Sequence, residues 1–437
     1  MDSRPTVAPP RSRILTLLVD TWSHLRTSQF WMVAIALFLR VAWIIVGHTY
    51  KIKSSENNFN FGWEMGRIGE ALAAGRGFSD PFGAPTGPTA WEPPLYPYLI
   101  AGAFRIFGMY SQASAFALLT MNSLFSALTC IPIFLIARRV FSEKVAIGSA
   151  WTWALLPYVI SWCVRLVWET SLSAFLLAVI LWLTLTLEQR DGLKPWLWFG
   201  LLWGIAALNS TVLLSFLPAS GLWAWYRRAK RHKPSLAGVA LASAIFVACI
   251  MPWLVRNHHT FGKFIFIRDN FGAELRLGNG NGADGTWMQY LHPTQDLYAL
   301  RQYTAMGELA YIDMRKQQAL KYIQADYPRF VRLCLKRFVY FWDGPPRLAQ
   351  IWWLAEVKNS LFLASSVLTF WGLGRALRQR KPGAWLLFWL ILSYPAIFYL
   401  VFAVPRYRRP IEPEIAILGV YLLTETGDKK RIADSER

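Results

Sequence analysis

The sequence is short of acidic residues, and this shortage narrows the possible function classes. Asp and Glu together number 26 against 46 Lys and Arg, which gives a formal net charge of +20. A basic balance of this size can indicate a nucleic-acid-binding protein. Here, however, the Lys and Arg residues lie in short segments between long apolar runs, a pattern typical of the inner loops of membrane proteins. We therefore expect no nucleic-acid partner.

Cysteine is also scarce. Three of the four cysteines, Cys130, Cys163 and Cys249, lie within apolar runs, so the sequence offers neither a disulfide framework nor zinc-ligand spacing. The spacing of His258, His259 and His292 matches no standard metal site. We therefore expect no metal site and no cofactor, and we interpret these histidines as structural or solvent-exposed.

Long apolar runs dominate the rest of the chain, which is 54% hydrophobic and contains 23 Trp. A membrane-spanning helix needs roughly 20 apolar residues, and the runs supply about ten such segments. The sequence therefore predicts an all-α polytopic membrane protein. The predicted spans are Phe30 to Gly47, Ala113 to Ala137, Val145 to Trp162, Thr170 to Leu187, Leu193 to Leu208, Thr211 to Tyr226, Leu236 to Val255, Leu361 to Leu377, Ala384 to Val404 and Ile411 to Leu423.

The short apolar segment Leu95 to Phe107 decides which loops face which side. If this segment lies at the interface instead of crossing, every short basic loop falls on one side, as the positive-inside rule requires. The resulting organisation has an inner N-terminal segment (1–29), a transmembrane domain (30–425) and an inner tail (426–437). Two long outer loops, 48–112 and 256–360, belong to the transmembrane domain, and the second is predicted to form a small outer cap with a helix from Glu308 to Asp326.

The first outer loop carries a candidate catalytic acid. The segment from Glu64 to Ala74 has helical spacing, which places Glu64 and Arg67 on one face of a short helix just outside the membrane. A carboxylate beside a guanidinium suits the handling of a phosphate-bearing lipid at the interface. An ordinary solvated helix face with an i,i+3 pair is the alternative.

A second concentration of charge lies just before the last span. Arg406, Tyr407, Arg408 and Arg409 occupy a corner that the predicted topology places outside, where Lys and Arg are normally rare. Arginine binds phosphate with paired donors, so we interpret this corner as an anion-binding site, with snorkelling side chains as the alternative. Glu169 stands at the outer start of a span and could share the same pocket, although an acid in the first turn of a helix is also favourable by itself.

These residues carry a resemblance to a known family. An acid after the first span, the segment PPLYPYL and the segment RYRRPIEP resemble the GT-C superfamily of membrane glycosyltransferases. Within it the chain is most similar to the protein O-mannosyltransferase and aminoarabinose transferase-like group of family 39. The resemblance implies a GT-C-like helix bundle with juxtamembrane helices in the first outer loop, a polyprenyl-phosphate sugar donor and a catalytic acid in that loop. The family's usual acidic pair is missing, however, so Glu56 and Glu92 remain alternatives to Glu64.

The expected function is sugar transfer at the outer face of the membrane, with inversion, from a polyprenyl-phosphate donor to a protein, lipid or glycan acceptor. Such a transfer needs a carboxylate to take the acceptor proton and cations to hold the departing phosphate. Glu64 is the predicted base and Glu169 a possible second acid. The predicted substrate-binding residues are Arg67, Glu92, Tyr96, Arg406, Tyr407 and Arg408. We expect a bacterial inner membrane location with a periplasmic or extracellular site, and a transporter or flippase of lipid-linked sugars is the alternative function.

Overall fold

The protein is almost entirely helical in the part of the chain that its computed structural model describes, residues 25–52, 58–233, 235–345 and 352–435. Within these ranges there is no β-strand, and only an isolated bridge joins Ser79 to Pro88. The predicted all-α class is therefore confirmed. Residues 1–24 of the predicted inner segment and the alternative base Glu56 lie outside the described residues.

Most of the helices follow one another with short connections, and a longer connection spans residues 74–94. In chain order they are Gln29–Val46 (α1), Glu64–Ala73 (α2), Leu95–Phe107 (α3), Gln112–Leu128 (α4), Cys130–Val140 (α5), Glu143–Leu155 (α6), Pro157–Cys163 (α7), Thr170–Leu187 (α8), Lys194–Asn209 (α9), Leu217–Ala229 (α10), Leu236–Phe261 (α11), Phe271–Gly278 (α12), Leu297–Met306 (α13), Glu308–Ala325 (α14), Tyr327–Asp343 (α15), Trp352–Arg378 (α16), Ala384–Ser393 (α17), Ala396–Leu400 (α18) and Glu412–Ser435 (α19). Short 3-10 helices occupy Phe59–Phe61, Thr211–Phe216, Gln289–Leu291 and Pro405–Ile411.

Several of these helices are long and apolar enough to cross a membrane, so the chain is an integral membrane protein. Among the described residues five candidates meet the requirement: α1, α4 continued by α5, α8, α11 and the segment Asn359–Arg378 of α16. The pair α6 and α7, bent by 50° at its break, makes a sixth. The other predicted spans are shorter or interrupted. Segment 211–226, for example, begins as a 3-10 helix before α10 starts.

Helix α8 lies deepest in the bundle, with 78% of its span buried against 22% for α1. The one arginine inside α1, Arg40, faces this interior, as a charge within a span must if it does not reach an interface. Its guanidinium donates to the carbonyls of Trp153 and Ala154 at 3.1 and 3.0 Å and to Ser126 Oγ at 3.1 Å. These carbonyls lie at the C-terminal end of α6, where exposed carbonyls and the helix dipole favour a cation.

The two long loops pack on one another and on the bundle. Helix α2 lies against α3 so closely that a Cβ at Gly69 would meet Ile100 at 2.7 Å. Helix α14 begins at Glu308 as predicted, and the Glu308 carboxylate is buried. It accepts hydrogen bonds from the Ala90 N–H and the Tyr303 hydroxyl, both at 2.6 Å, and from the Thr89 hydroxyl. This contact fixes the first loop just before Trp91 and Glu92.

Candidate active site

A cavity of about 1160 Å³ opens where several separate segments of the chain meet. Its lining combines acids, one arginine and many aromatic rings: Phe59, Trp63, Glu64, Trp91, Glu92, Trp162, Leu166, Glu274, Asp284, Thr286, Trp287, Gln289, His292, Gln295, Pro345, Phe402, Ala403, Val404, Pro405, Arg406 and Tyr407. Four of the residues predicted from the sequence, Glu64, Glu92, Arg406 and Tyr407, therefore share one cavity. A cavity lined by aromatic and apolar side chains with a few convergent polar groups is the usual form of a small-molecule site.

Glu64 is held at the cavity wall at the start of α2. The preceding residue, Trp63, has a φ of 47°, which a bulky L-residue rarely adopts, and it carries this backbone strain next to the acid. Glu64 Oε1 accepts a hydrogen bond from Thr294 Oγ1 at 3.2 Å and lies 3.4 Å from His292 Nε2. Burial raises the pKa of Glu64 above its ordinary value, while the charges of Arg67 and Arg406 oppose that rise.

His292 orients this carboxylate as a neutral imidazole. Burial, together with the charges of Arg67 and Arg406, lowers the pKa of His292 to about 3. The Thr294 N–H donates to His292 Nδ1 at 3.2 Å, so the single ring proton must reside on Nε2, which faces Glu64. The sequence interpretation of His292 as structural or exposed missed this role. A buried position cannot be recognised from a histidine in a long loop.

Arg67 lies behind Glu64 and does not line the cavity. It is buried, and its Nη1 donates to Thr294 Oγ1 at 3.2 Å, so Arg67, Thr294 and Glu64 form one hydrogen-bonded chain. The predicted substrate-binding role of Arg67 is therefore better described as support for Glu64. Its charge favours the ionised form of that carboxylate.

Glu92 and Glu274 form a second acidic wall around Arg268. Glu92 Oε2 lies 3.7 Å from Arg268 Nη1, and Asn270 bridges the group by accepting from Arg268 Nε at 2.8 Å and donating to Glu274 Oε1 at 3.1 Å. Burial raises the pKa of Glu92, and it raises the pKa of Glu274 to about 7, with Arg268 opposing both shifts. Sequence reasoning missed Arg268 and Glu274. Their only sequence signal is a run of charged residues directly before the glycine-rich stretch that starts at Leu277.

Arg406 provides the cation of the cavity lining. Its guanidinium lies 4.0 Å from the centroid of the Trp168 ring, and no carboxylate in the described part of the chain forms an ion pair with it. Tyr407 beside it is fixed by stacking on Phe398 at 4.2 Å between ring centroids. Such an arginine, oriented by an aromatic ring and without a bound counter-charge, suits an anionic ligand.

Glu169 lies next to this arginine, at the N-terminal end of α8, although it does not line the cavity. Burial raises the pKa of Glu169 to about 7, the charge of Arg406 opposes the rise, and Glu92 adds to it. Glu169 Oε2 is buried and has no hydrogen-bond partner among the described residues. The predicted second acid is therefore close to the cavity, with one oxygen left unpaired.

Two predicted substrate-binding residues lie elsewhere, in positions that the structure gives to internal contacts. Arg408 is buried and bound to Glu412 at 2.7 Å and to Ser365 and Ser366 at 2.6 and 2.7 Å, so its donors are already used. Tyr96 is buried and donates to Asn122 Oδ1 at 2.8 Å. Neither lines the cavity, so the structure does not bring these two predicted substrate-binding residues together with Glu64 and Arg406.

Tryptophan rings build most of the remaining wall. Trp63 lies 5.3 Å from Trp287 and 6.1 Å from His292 between ring centroids, and Trp91 and Trp162 complete the set. Flat aromatic faces beside carboxylates suit a ligand such as a sugar, which presents both C–H groups and hydroxyls. Within the described ranges no three His, Cys, Asp or Glu side chains are grouped to hold a metal ion.

Comparison with known proteins places this geometry in a wider context. The family model described as dolichyl-phosphate-mannose-protein mannosyltransferase matches residues 91–255. No curated protein sequence matches the chain.

Solved structures give more extended matches. The oligosaccharyltransferase AglB from Archaeoglobus fulgidus, in complex with an inhibitory peptide and a dolichol-phosphate, matches with 15% identity and a TM-score of 0.55, covering 93% of this chain. The chain spans only 51% of that protein. ArnT from Cupriavidus metallidurans, bound to undecaprenyl phosphate, matches with 12% identity and a TM-score of 0.38. The match covers 91% of this chain and 79% of the ArnT chain.

Proposed function

Because the chain is an integral membrane protein with the GT-C fold, we propose that it transfers a sugar from a polyprenyl-phosphate donor to an acceptor held in the same cavity. One observation carries the proposal: Arg406, which forms no ion pair among the described residues, and an oriented carboxylate, Glu64, line one cavity with tryptophan walls. The acceptor class, whether protein, lipid or glycan, is left open by these residues.

The reaction we propose is a single displacement. The acceptor hydroxyl or amine attacks the anomeric carbon while the bond from that carbon to the phosphate oxygen breaks, and the phosphate leaves with the bonding electron pair. Glu64 takes the acceptor proton, and Arg406 stabilises the charge that develops on the phosphate. Attack opposite the leaving group inverts the anomeric configuration. Glu169, Glu92 and Glu274 surround the site as further acids, and Glu92 remains the alternative base.

His292 and Thr294 would orient the base for this step. Both contacts fall on Glu64 Oε1, so the carboxylate is held by one oxygen while the residue faces the cavity. Because His292 is neutral, it positions Glu64 without forming an ion pair that would suppress its basicity. The tryptophan walls would bind the sugar ring and exclude water from the anomeric carbon.

The decisive experiment is Glu64→Gln, assayed with purified protein, a polyprenyl-phosphate sugar and a cell-envelope acceptor fraction. We expect transfer to fall by roughly two to four orders of magnitude, since the amide keeps the shape but accepts no proton, with donor binding nearly unchanged. Glu70→Gln is the control on the same helix: Glu70 pairs with Arg76 at 3.6 Å and does not line the cavity. A fully active Glu64→Gln with an inactive Glu92→Gln would move the base to Glu92. If Glu64→Gln, Glu92→Gln and Glu56→Gln all transfer sugar like the parent, the glycosyltransferase proposal fails, and the transporter alternative becomes the one to test.

We also propose that the cavity opens on the outer side of a bacterial inner membrane. An impermeant thiol reagent should then label Asn281→Cys from outside and miss Lys230→Cys. Asn281 is an exposed residue in the glycine-rich stretch, and Lys230 is exposed at the end of α10. Neighbouring Asn279 would be a poor probe, because it is buried and donates to the Leu400 carbonyl at 3.0 Å. Labelling of Lys230→Cys alone would reverse the orientation.

A further inference from the structure

Helix α15 carries an apolar stripe that the described part of the chain leaves uncovered. The members of the stripe are spaced three or four positions apart, so they share one face of the helix. They are 40 to 63% exposed and comprise Tyr327, Val331, Leu335, Phe338 and Val339. The opposite face is buried and holds α15 in the fold through Leu333, Arg337 and Phe341. An exposed apolar face of this length on a packed helix marks a surface that another partner covers.

Two cations border this stripe. Arg332 follows Val331 directly and Lys336 follows Leu335, which places each about 100° further round the helix, at the edge of the apolar face. Both cations are exposed, and neither forms an ion pair within the described ranges. An apolar face bordered by Lys and Arg is typical of a helix that lies in the plane of a membrane surface and attracts anionic headgroups.

The stripe is continuous with the surface of a membrane span. At the C-terminal end of α15, the ring of Trp342 lies 4.6 Å from that of Phe370 between centroids, and the Trp342 carbonyl accepts a hydrogen bond from Ser366. Phe370 and Ser366 belong to the candidate span Asn359–Arg378, and Phe370 is itself exposed. Because lipid covers the exposed apolar side chains of a span, lipid reaches the end of α15 and is the nearest partner for its stripe.

Helix α15 also holds one rim of the cavity. Arg337 donates to the Gly278 carbonyl, and Arg329 Nη2 donates to the Gly280 carbonyl at 2.9 Å. These carbonyls belong to the glycine-rich stretch that leads to Asp284, which lines the cavity. A surface that binds α15 therefore also fixes the position of this rim.

We propose that α15 is an interfacial helix that buries its stripe in the membrane leaflet on the cavity side and binds anionic phospholipid headgroups with Arg332 and Lys336. The bilayer then holds the glycine-rich rim of the cavity through α15. A second copy of this chain could also cover an apolar face, but the bordering cations and the continuity with a span favour lipid. The assignment does not rest on the proposed transfer reaction, because contact with lipid is measurable without a sugar donor.

The first measurement determines what covers the stripe. The full chain, with its native cysteines replaced by alanine, receives a bimane label at Leu335→Cys or at Gln317→Cys, the matched control at an exposed position of α14. It is reconstituted in nanodiscs whose lipids carry nitroxides on the acyl chains. We expect strong quenching of the Leu335→Cys label and almost none of the control, because these nitroxides reach only side chains in the apolar boundary. Equal quenching of the two labels would overturn the proposal.

A photoreactive p-benzoylphenylalanine in place of Leu335 gives the same information in a chain that keeps its cysteines. We expect a covalent adduct with phospholipid, identified by mass spectrometry. A crosslinked dimer without a lipid adduct would assign the stripe to a second copy of the chain and overturn the proposal. The absence of any lipid adduct would overturn it equally.

The second measurement tests the headgroup. The nitroxide is carried by either phosphatidylglycerol or phosphatidylcholine, and the ratio of the two quenching efficiencies at Leu335→Cys reports the preference for anionic lipid. Combining Arg332→Gln with Lys336→Gln should reduce this preference by roughly fivefold for each charge removed. The matched control combines Lys316→Gln with Lys321→Gln, which removes the same charge from exposed positions of α14. An equal ratio in the two double variants would overturn the role of Arg332 and Lys336.

Discussion

A glutamate stands at each end of helix α8, and the two carboxylates differ in their ion pairing. Glu169 precedes the helix and Glu188 follows its 18 residues. At about 1.5 Å per residue they stand roughly 28.5 Å apart along the helix axis, close to the roughly 30 Å thickness of a bilayer core. One end of this buried helix thus belongs to the candidate active site, and the other belongs to a cluster of ion pairs.

Glu188 is fully neutralised by its neighbours. Arg139, Arg227 and Arg231 approach it at 2.9, 2.5 and 3.6 Å, which joins α5, α8 and the end of α10. Burial opposes ionisation, but the hydrogen bond and charge of Arg227, with Arg231 and Arg139, hold the pKa of Glu188 below its ordinary value. A carboxylate with this many cations at the C-terminal end of a helix is a structural anchor.

Glu169, by contrast, has no ion pair in the described residues, one unpaired buried oxygen and a pKa raised to about 7 by burial, with Arg406 the main opposing charge. The same types of residue therefore serve two purposes. Where ion pairing is complete, acids and arginines hold helices together. Where it is incomplete, charge is left available for a ligand or a proton.

The largest expected effect separates Arg408 from Arg406, which lie two positions apart in one 3-10 helix. Like Glu188, Arg408 has a complete ion pair. Arg408→Gln should therefore destabilise the protein by about 3–5 kcal/mol, because it leaves the buried Glu412 carboxylate without its partner. Arg406→Gln should unfold nearly as the parent does but weaken donor binding roughly ten- to a hundredfold. Chemical unfolding in detergent and donor titration measure the two effects. An equal loss of stability in Arg406→Gln and Arg408→Gln would contradict the assignment of Arg408 to structure and Arg406 to ligand binding.

This pair also shows how far the sequence can be taken. The arginine-rich corner and the acid after the first span were enough to predict that Arg406 and Glu64 meet, because loops on one side of a membrane share one surface. The sequence could not show that Arg406 lines the cavity while Arg408 is buried. In a 3-10 helix with about three residues per turn, positions two apart point to different sides, and the turn type itself depends on packing.

The cavity residues of the second long loop, 256–360, could not be predicted from the sequence for a related reason. His292 and Glu274 reach the cavity only because α12 and α14 pack together and Glu308 anchors the first loop to them. These contacts join residues more than 200 positions apart, as Glu308 and Ala90 illustrate. No local pattern encodes such a pairing. The helix from Glu308, with its own periodic sequence, was predictable, whereas its partners were not.

A smaller effect is expected at the anchored end of α8. Glu188→Gln should lower the free energy of unfolding by about 1–3 kcal/mol, because three arginines lose their common partner. The arginine side chains are 25 to 44% exposed, so water screens part of the loss. Donor binding should not change. A Glu188→Gln protein with normal stability and reduced transfer would contradict the assignment of this end as structural.

The smallest expected effect, measured per pH unit, is a difference in the pH dependence of stability between the two ends of α8. The pKa of Glu169 is raised, so folding binds a proton there, and the stability this provides is lost as the pH rises from about 4.5 to about 7. The pKa of Glu188 is lowered, so its contribution is present above the unfolded value and is lost as the pH falls below it. Glu169→Gln should therefore reduce the loss of stability towards high pH, and Glu188→Gln should reduce the loss of stability towards low pH.

Unfolding free energies of the parent, Glu169→Gln and Glu188→Gln, measured in detergent between pH 4 and pH 8, give the comparison directly. Glu169→Gln should lose less stability than the parent between about pH 4.5 and pH 7, by no more than about 1.4 kcal/mol per pH unit. Glu274, whose pKa is also raised to about 7, keeps a similar slope in both proteins, so only the difference between them reports on Glu169. A Glu169→Gln profile parallel to that of the parent would mean that Glu169 is ionised and solvated in the folded protein, and the contrast between the two ends of α8 would then rest on Glu188 alone.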